Sequence, residues 1–203
     1  MTAETLERPA SQRALALKKL THETHSKLDK SIMAGRPFES RERYGLFLQV
    51  QYLFHRDIDA LYSNPELDRM LPDMEGRRRF AQVAQDLADL GIPAPEADRA
   101  PVFDGGEVDI PTALGWLYVA EGSNLGAAFL LKAAASLGLS ETFGAHHLAA
   151  APEGRGLHWR TFTAALDAPE IDEASEARVT AGAEEAFKRV QVLVDRIFGA
   201  AKA

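Results

Sequence analysis

Helical periodicity is the feature that most narrows the fold open to this chain. Apolar residues recur at three- and four-residue spacing along most of its 203 residues, as they do on one face of an α-helix. Strand signals are weak, because β-branched residues are sparse and no Asn-Gly or Asp-Gly turn joins two alternating apolar runs. We therefore predict an all-α fold in a single domain over residues 1–203, with the polar segment 1–11 expected to be flexible.

Start and stop signals divide this pattern into six predicted helices. Ser40 and Asp109 are candidate N-caps, because a short side-chain oxygen can accept a hydrogen bond from a free amide of the first turn. A proline-rich stretch over residues 92–109 is expected to be a loop. The predicted helices cover residues 11–35, 40–62, 73–90, 110–137, 155–166 and 173–198.

The complete absence of cysteine excludes several kinds of chemistry. The chain has no disulfides, no zinc-finger ligation, no thiolate-held iron–sulfur cluster, no cysteine nucleophile and no covalent haem attachment through a CxxCH motif. Any metal must therefore be held by histidine, methionine, tyrosine or carboxylate ligands.

Charge and hydropathy exclude two classes of partner. The formal net charge is −7, from 23 basic and 30 acidic residues, and no basic stripe is present, so we expect neither nucleic acid nor an anionic membrane surface as a partner. The longest apolar stretch runs from Ile110 to Leu139, but Glu121 and Lys132 leave only ten residues between them, too few to span a bilayer. The N-terminal segment lacks the apolar region of a signal peptide, and a cytoplasmic protein is expected.

Two histidines on the first predicted helix are candidate metal ligands. His22 and His25 are three residues apart, and the spacing does not match the HExxH motif of zinc proteases. Asp29 lies one turn beyond His25 on the same face and could accept the second ring N–H of a metal-bound imidazole. Lys18 lies two turns before His25. Surface histidines and a solvated amine would explain the same pattern, and the spacing alone leaves both interpretations open.

The remaining histidines carry less information. His146, His147 and His158 lie near glycine- and proline-containing turns, and we interpret them as surface or structural residues. A di-iron site on a helical bundle would require ExxH pairs on several helices, and the sequence contains no ExxH.

A glycine-containing segment in the middle of the fourth predicted helix is more unusual. Gly122 and Gly126 bracket Ser123 and Asn124, and each glycine costs about 1 kcal/mol relative to alanine inside a helix. A helix that retains this cluster is expected to bend there, to approach a flat ligand closely, or to pack tightly against another helix. The spacing alone does not choose among these three interpretations.

The two unusual segments together resemble the haem oxygenase family, in particular bacterial haem-degrading enzymes of iron acquisition. They are KKLTHETHSKLDKSIMAGRPF at 18–38 and GWLYVAEGSNLGAAF at 115–129, and the stretches at 48–59, 77–91 and 154–162 are also similar. The resemblance extends from about residue 14 to residue 198. It implies a helical bundle that holds a haem between a proximal helix and a kinked distal helix.

The resemblance also implies roles for particular residues. His25, rather than His22, matches the axial ligand of the haem iron, and Asp29 matches the partner of its imidazole. Lys18 and Tyr118 match residues that bind a haem propionate. The other implied positions are those of the distal kink, Gly122, Ser123, Asn124 and Gly126, and those of a distal network of hydrogen-bonded water, Gln51, His55 and Arg79.

The implied activity is cleavage of haem at a meso carbon to biliverdin, carbon monoxide and ferrous iron, with O2 and electrons from an external reductase or ferredoxin-type donor. Haem would be both substrate and cofactor. A haem carrier or store with the same pocket is the alternative. The motif Gly-Ser-Asn-Leu-Gly departs from the mammalian type, which has Gly-Asp in this region, and Asn124 is not equivalent to that aspartate. Backbone groups and waters linked to His55 and Arg79 are expected to organise the distal water that this aspartate organises in the mammalian type.

Overall fold

The structure, a computed structural model that describes residues 12–200, is built from α-helices and two short 3-10 helices, and it contains no named β-strand in that range. The all-α prediction is confirmed, and the segment expected to be flexible, 1–11, lies outside the described residues. Within them, no helix is both long enough and apolar enough to cross a membrane. The helices are α1 (Arg13–Leu20), α2 (His22–Ala34), α3 (Arg41–Ile58), α4 (Pro65–Met70), α5 (Met74–Arg77), α6 (Phe80–Asp89), α7 (Ile110–Ala135), α8 (Arg155–Asp167) and α9 (Glu173–Ala200), and the 3-10 helices are Asp59–Ser63 and His146–Leu148.

Both predicted N-caps are confirmed. The Ser40 hydroxyl accepts a hydrogen bond from the backbone N–H of Arg43 at 3.3 Å, and a carboxylate oxygen of Asp109 accepts one from the N–H of Thr112 at 3.1 Å. Arg43 stands where a capping box would have glutamate. Its Nε donates to the carbonyl of Gly35 at 2.8 Å, and this bond joins the end of α2 to the start of α3.

The prediction of one continuous helix over residues 11–35 is wrong, because the helix is interrupted at Thr21 and forms two elements, α1 and α2. The Thr21 side chain is buried, and its hydroxyl donates to the carbonyl of Leu17 at 2.8 Å. Such a bond from a threonine to its own helix competes with the regular hydrogen-bond ladder. The consequence is that Lys18 and His25 lie on different helices and not on one continuous helical face.

The predictions for 40–62 and 73–90 also need correction. α3 ends at Ile58 and continues as the 3-10 helix Asp59–Ser63, and the residues before α6 form the separate short helix α5. Arg78 is extended between α5 and α6, and its guanidinium binds the carboxylate of Asp59 at 2.6 and 2.7 Å. α4 was not predicted, although Asn64 as N-cap and Pro65 at the first helical position are the expected local signals.

Helices α2 and α7 both pack against α9. α7 packs against it backbone to backbone, since a Cβ on Gly115 would overlap the carbonyl of Val179 and one on Gly182 would overlap that of Thr112. A Cβ on Gly35, at the end of α2, would lie 2.7 Å from the Phe198 ring of α9. α2 and α7 themselves scarcely touch. We call the region between these two helices on α9 the cleft.

Candidate functional site

His25 stands on the α2 side of this cleft with one ring nitrogen engaged and the other free. Its Nδ1 lies 3.3 Å from a carboxylate oxygen of Asp29, and its ring meets the edge of the Phe187 ring of α9 at 5.7 Å between centroids. The side chain is 58% exposed, and its Nε2 makes no hydrogen bond to any described residue. An imidazole held in this way can offer Nε2 to a metal ion. His22 is exposed one turn earlier and has no comparable partner.

α2 and α7 both run parallel to α9. Their contacts with α9 therefore show which part of α7 lies at the same height along α9 as His25. Asp109, at the start of α7, pairs with Arg178 of α9 at 3.3 Å. Trp116, two turns further along α7, borders the same groove as Arg189 of α9. Because His25 packs on Phe187, it lies level with the part of α7 that leads into Gly122.

Close packing requires neither of the two glycines in this part of α7. A Cβ on Gly126 would meet nothing within 4 Å, and one on Gly122 would make only ordinary contact with the Trp159 ring, at 3.6 Å. Interpretation of Gly122 and Gly126 as a tight helix-packing motif is therefore wrong, and Gly115 and Gly182 fill that role instead. The backbone stays α-helical through the segment. Close approach of a flat ligand and the predicted kink both stay predictions.

The helices that flank the cleft leave large apolar side chains exposed. Leu125 and Phe129 of α7 are 45% and 67% exposed, and Met33 of α2 is 45% exposed. Ser123, between the two glycines, turns its hydroxyl back to the carbonyl of Ala120 at 2.6 Å. The polar groups of the segment are thus partly satisfied within α7, while apolar surface remains open for an apolar ligand.

Lys18 and Tyr118, which the resemblance matched to propionate-binding residues, lie on different helices, α1 and α7. Lys18 is exposed on α1, and no hydrogen bond or ion pair joins it to Tyr118 within residues 12–200. Tyr118 is mostly buried on α7 against Trp159 of α8, with 5.6 Å between ring centroids, and burial raises the pKa of its hydroxyl. That hydroxyl has no hydrogen-bond partner among the described side chains and is available to a ligand.

Gln51, His55 and Arg79 form the third set of predicted site residues. His55 is buried, its Nδ1 has no partner among the described residues, and Gln51 is half-buried one turn earlier on α3. Arg79 precedes α6, and its Nη1 donates to Gln82 at 2.9 Å, while its buried Nε has no partner within residues 12–200. Buried polar atoms of this kind are typically satisfied by ordered water. Burial lowers the pKa of His55 to about 3, and the nearby His147 and Arg79 add to this shift, so the ring is neutral.

The neutral state of His55 predicts a specific loss of stability in acid. The unfolded chain binds a proton at this residue near the ordinary histidine pKa and the folded chain does not, so stability falls as the pH drops below that value. Between pH 8 and pH 5 this one group is expected to remove about 2 kcal/mol from the free energy of unfolding. Urea unfolding at both pH values should show this loss in the wild type and its disappearance in His55→Gln. His22→Gln, which removes an exposed imidazole, should keep the wild-type loss, and an identical loss in His55→Gln would contradict the prediction.

Sequence reasoning missed a buried ionic cluster directly before the glycine segment. Glu121 accepts a hydrogen bond from Arg77 at 2.8 Å and one from the Tyr62 hydroxyl at 3.2 Å, and it lies 3.6 Å from Nε2 of His158. Burial raises the pKa of Glu121, and the neighbouring Arg77 opposes that shift. This cluster ties α7 to α5 and α8 one residue before Gly122. The sequence did contain one signal for this cluster: Glu121 is a single carboxylate in an apolar stretch of helix. A buried carboxylate requires a partner, so its presence there predicts an ionic contact.

The other histidines have the structural roles expected of them. Nδ1 of His146 and Nδ1 of His147 lie 2.7 and 2.5 Å from the two oxygens of Asp86, which is fully buried on α6. Nδ1 of His158 lies 2.7 Å from Glu153. These contacts fasten the loop that precedes α8 to the body of the protein.

Known proteins resemble this chain in both sequence and structure. The sequence model of the family described as "Heme oxygenase" matches residues 11–196. "Heme oxygenase PigA" of Pseudomonas aeruginosa is 43% identical over 186 residues, which cover 92% of this chain and 93% of that protein. The crystal structure of the NO- and CO-bound heme oxygenase from Neisseria meningitidis matches with a TM-score of 0.86 and 41% identity over 92% of each chain.

These matches span nearly the whole chain, and they include both α2 with His25 and α7 with its glycine segment. They confirm the family that the sequence motifs indicated. The chain belongs to the haem oxygenase family.

Proposed function

We propose that this protein is a haem oxygenase that cleaves haem at a meso carbon to biliverdin, carbon monoxide and ferrous iron, and so supplies iron to the cell. O2 and an external electron donor of the reductase or ferredoxin type would be the other reactants. Membership of the family supports haem binding and a haem-degrading oxidoreductase. The observation that supports the proposal is a pair of local features: His25 has Asp29 beside its Nδ1 and no partner for its Nε2 among the described residues, and α7 carries two glycines that close packing does not require.

The residues of the cleft fit a haem. A planar apolar ring needs flat, open walls, and the space over Gly126 together with exposed Met33, Leu125 and Phe129 supplies them. When bound, haem supplies the redox chemistry and is itself the molecule that is degraded. His25 would hold its iron through Nε2, without the covalent attachment that a cysteine-free chain cannot make.

On the α2 side, Asp29 would accept the Nδ1–H of His25. That bond fixes the tautomer that leaves Nε2 as the ligand atom, and it orients the ring. Because the ligand is a neutral imidazole and not a thiolate, electron donation to the iron is moderate. Lys18 and the Tyr118 hydroxyl would bind the propionates and set the rotation of the haem in the cleft.

On the α7 side, Gly122 and Gly126 leave the space above the ring free of side chains. Backbone groups of Ser123 and Asn124 would then supply hydrogen bonds there directly or through water. That water network would be held by three further side chains, which are neutral His55 and Gln51 of α3 and Arg79 before α6. A neutral His55 can both give and receive a proton through its two ring nitrogens, with Nδ1 as the atom that has no protein partner.

The decisive experiment adds haem to the purified protein and then ascorbate or a reductase system under air. We expect the haem absorption band to disappear while a bilin spectrum appears. A haem spectrum that persists through reduction and aeration would overturn the proposal in favour of a carrier. The glycines argue against a carrier, because each costs about 1 kcal/mol of helix stability and neither is required by packing.

A further inference from the structure

We propose that Arg155 is a positioning residue that tethers the glycine segment of α7 and thereby sets the distal surface of the cleft. The tether itself is a property of the haem-free protein. Only its expected effect on haem cleavage rests on the proposed function.

The contacts of Arg155 join three elements through one guanidinium. Arg155 is the first residue of α8, and its Nη1 donates to the backbone carbonyl of Asn124 in α7 at 3.0 Å. Its Nη2 donates to the backbone carbonyl of Leu148, at the end of the 3-10 helix His146–Leu148. The planar fork of an arginine suits such a double contact, and a lysine would supply only a single point of attachment.

The segment that Arg155 holds has little else to hold it. Residues 113–121 of α7 are all buried, whereas only Ala127 and Ala134 are buried among residues 122–135. Both are small, so they bury little apolar area, and the glycines contribute no side-chain packing. Leu130 and Leu131 pack half-buried against the core, but they lie beyond the glycines. Asn124 lies midway between Gly122 and Gly126. A charged hydrogen bond to its carbonyl therefore acts where the helix is least constrained by packing.

Electrostatics connects this tether with the distal polar residues. Burial lowers the pKa of Arg155, the carboxylate of Glu141 opposes that shift, and Arg79 is close enough to add to it. Arginine remains charged in a protein whatever the shift, so both bonds to carbonyls are charge-assisted. Arg155 is therefore close both to α7 and to Arg79. A movement of the glycine segment would change the distance between that segment and the distal polar residues.

Hydrogen exchange of the haem-free protein tests the tether without any turnover. In Arg155→Gln, we expect amides of residues 122–130 and of the 146–150 turn to exchange at least about tenfold faster than in the wild type. Arg155→Lys should give an intermediate rate, because one of the two carbonyls keeps a donor. Arg160→Gln is the matched control, since it removes an exposed arginine from the same helix and should leave these amides unchanged.

Wild-type exchange rates over residues 122–130 in both Arg155 variants would overturn the proposal. If Arg155→Gln does not fold, the Arg155→Lys rate decides, with the wild-type rate again counting against the tether. Bilin analysis of the haem-loaded variants adds the catalytic readout, for which we expect a broader mixture of cleavage isomers in Arg155→Gln. A protein that forms no bilin in the wild type, yet shows the faster exchange in the variant, would refute the proposed function and leave the tether standing.

Discussion

Replacing His25 by alanine is expected to abolish haem cleavage, with the rate falling by at least about 100-fold. His25 has Asp29 beside its Nδ1 and no partner for its Nε2 among the described residues, so under the proposed function its removal would leave the iron without its protein ligand. Absorption spectra of the haem complex should lose the signature of a histidine ligand, and bilin formation under reducing conditions should cease. Added imidazole should restore part of both signals, because it can occupy the space that the side chain leaves.

His22→Ala is the matched control for this experiment. It removes an exposed histidine one turn away on the same helix, and it should retain the spectrum and the turnover of the wild type. Asp29→Asn should have a smaller effect, about tenfold, because an exposed carboxylate orients the imidazole but does not bind the metal. Loss of the ligand signature in His22→Ala and its survival in His25→Ala would show that the assignment of the axial ligand is wrong.

Replacing Gly126 by leucine is expected to separate the stability of the protein from its function. A Cβ at this position meets nothing within 4 Å, and leucine is a better helix former than glycine, so the haem-free protein should gain roughly 0.5–1 kcal/mol in free energy of unfolding. The same side chain would fill the space that the haem requires. We expect bilin formation to fall by about 100-fold, since a small displacement of the reacting groups is enough for a loss of that size.

Chemical denaturation of the haem-free variant and haem titration followed by turnover measure the two effects. Gly199→Leu is the control, because Gly199 is also a helical glycine with open space around its Cβ but lies in the last turn of α9. It should keep the haem affinity and the turnover of the wild type. Unchanged bilin formation in Gly126→Leu would mean that this glycine does not border the haem. A destabilised haem-free variant would mean that the space around residue 126 is not open.

Local signals account for how well the helices could be predicted. The caps at Ser40 and Asp109 and the starts of α7, α8 and α9 depend on residues within three or four positions of each other, and they were predicted to within a residue. The breaks at Thr21 and between α5 and α6 were not. At both places a tertiary constraint wins over helix propensity, a buried threonine in one case and the pairing of Arg78 with Asp59 in the other.

The glycines show the same limit within a single helix. The sequence pattern singled out Gly122 and Gly126 but did not decide between ligand approach and helix packing for them, and it did not point to Gly115. In the structure Gly115 is the contact with α9, whereas Gly126 faces open space. Which neighbour a helix face meets depends on elements more than 50 residues away, as with Val179 beside Gly115.

The sequence by itself determined the helical class, the family, and the two segments that carry His25 and the glycines, because periodicity, capping and motifs are properties of neighbouring residues. Only the tertiary structure decided that α2 and α7 flank a cleft on α9, and that Glu121 and Arg155 fasten the glycine segment on either side. Tyr62 and Arg77 are 59 and 44 positions from Glu121 in the chain, and Asn124 is 31 positions from Arg155. Hydrogen bonds and ion pairs at such separations exist only after the helices have packed, so no local pattern records them.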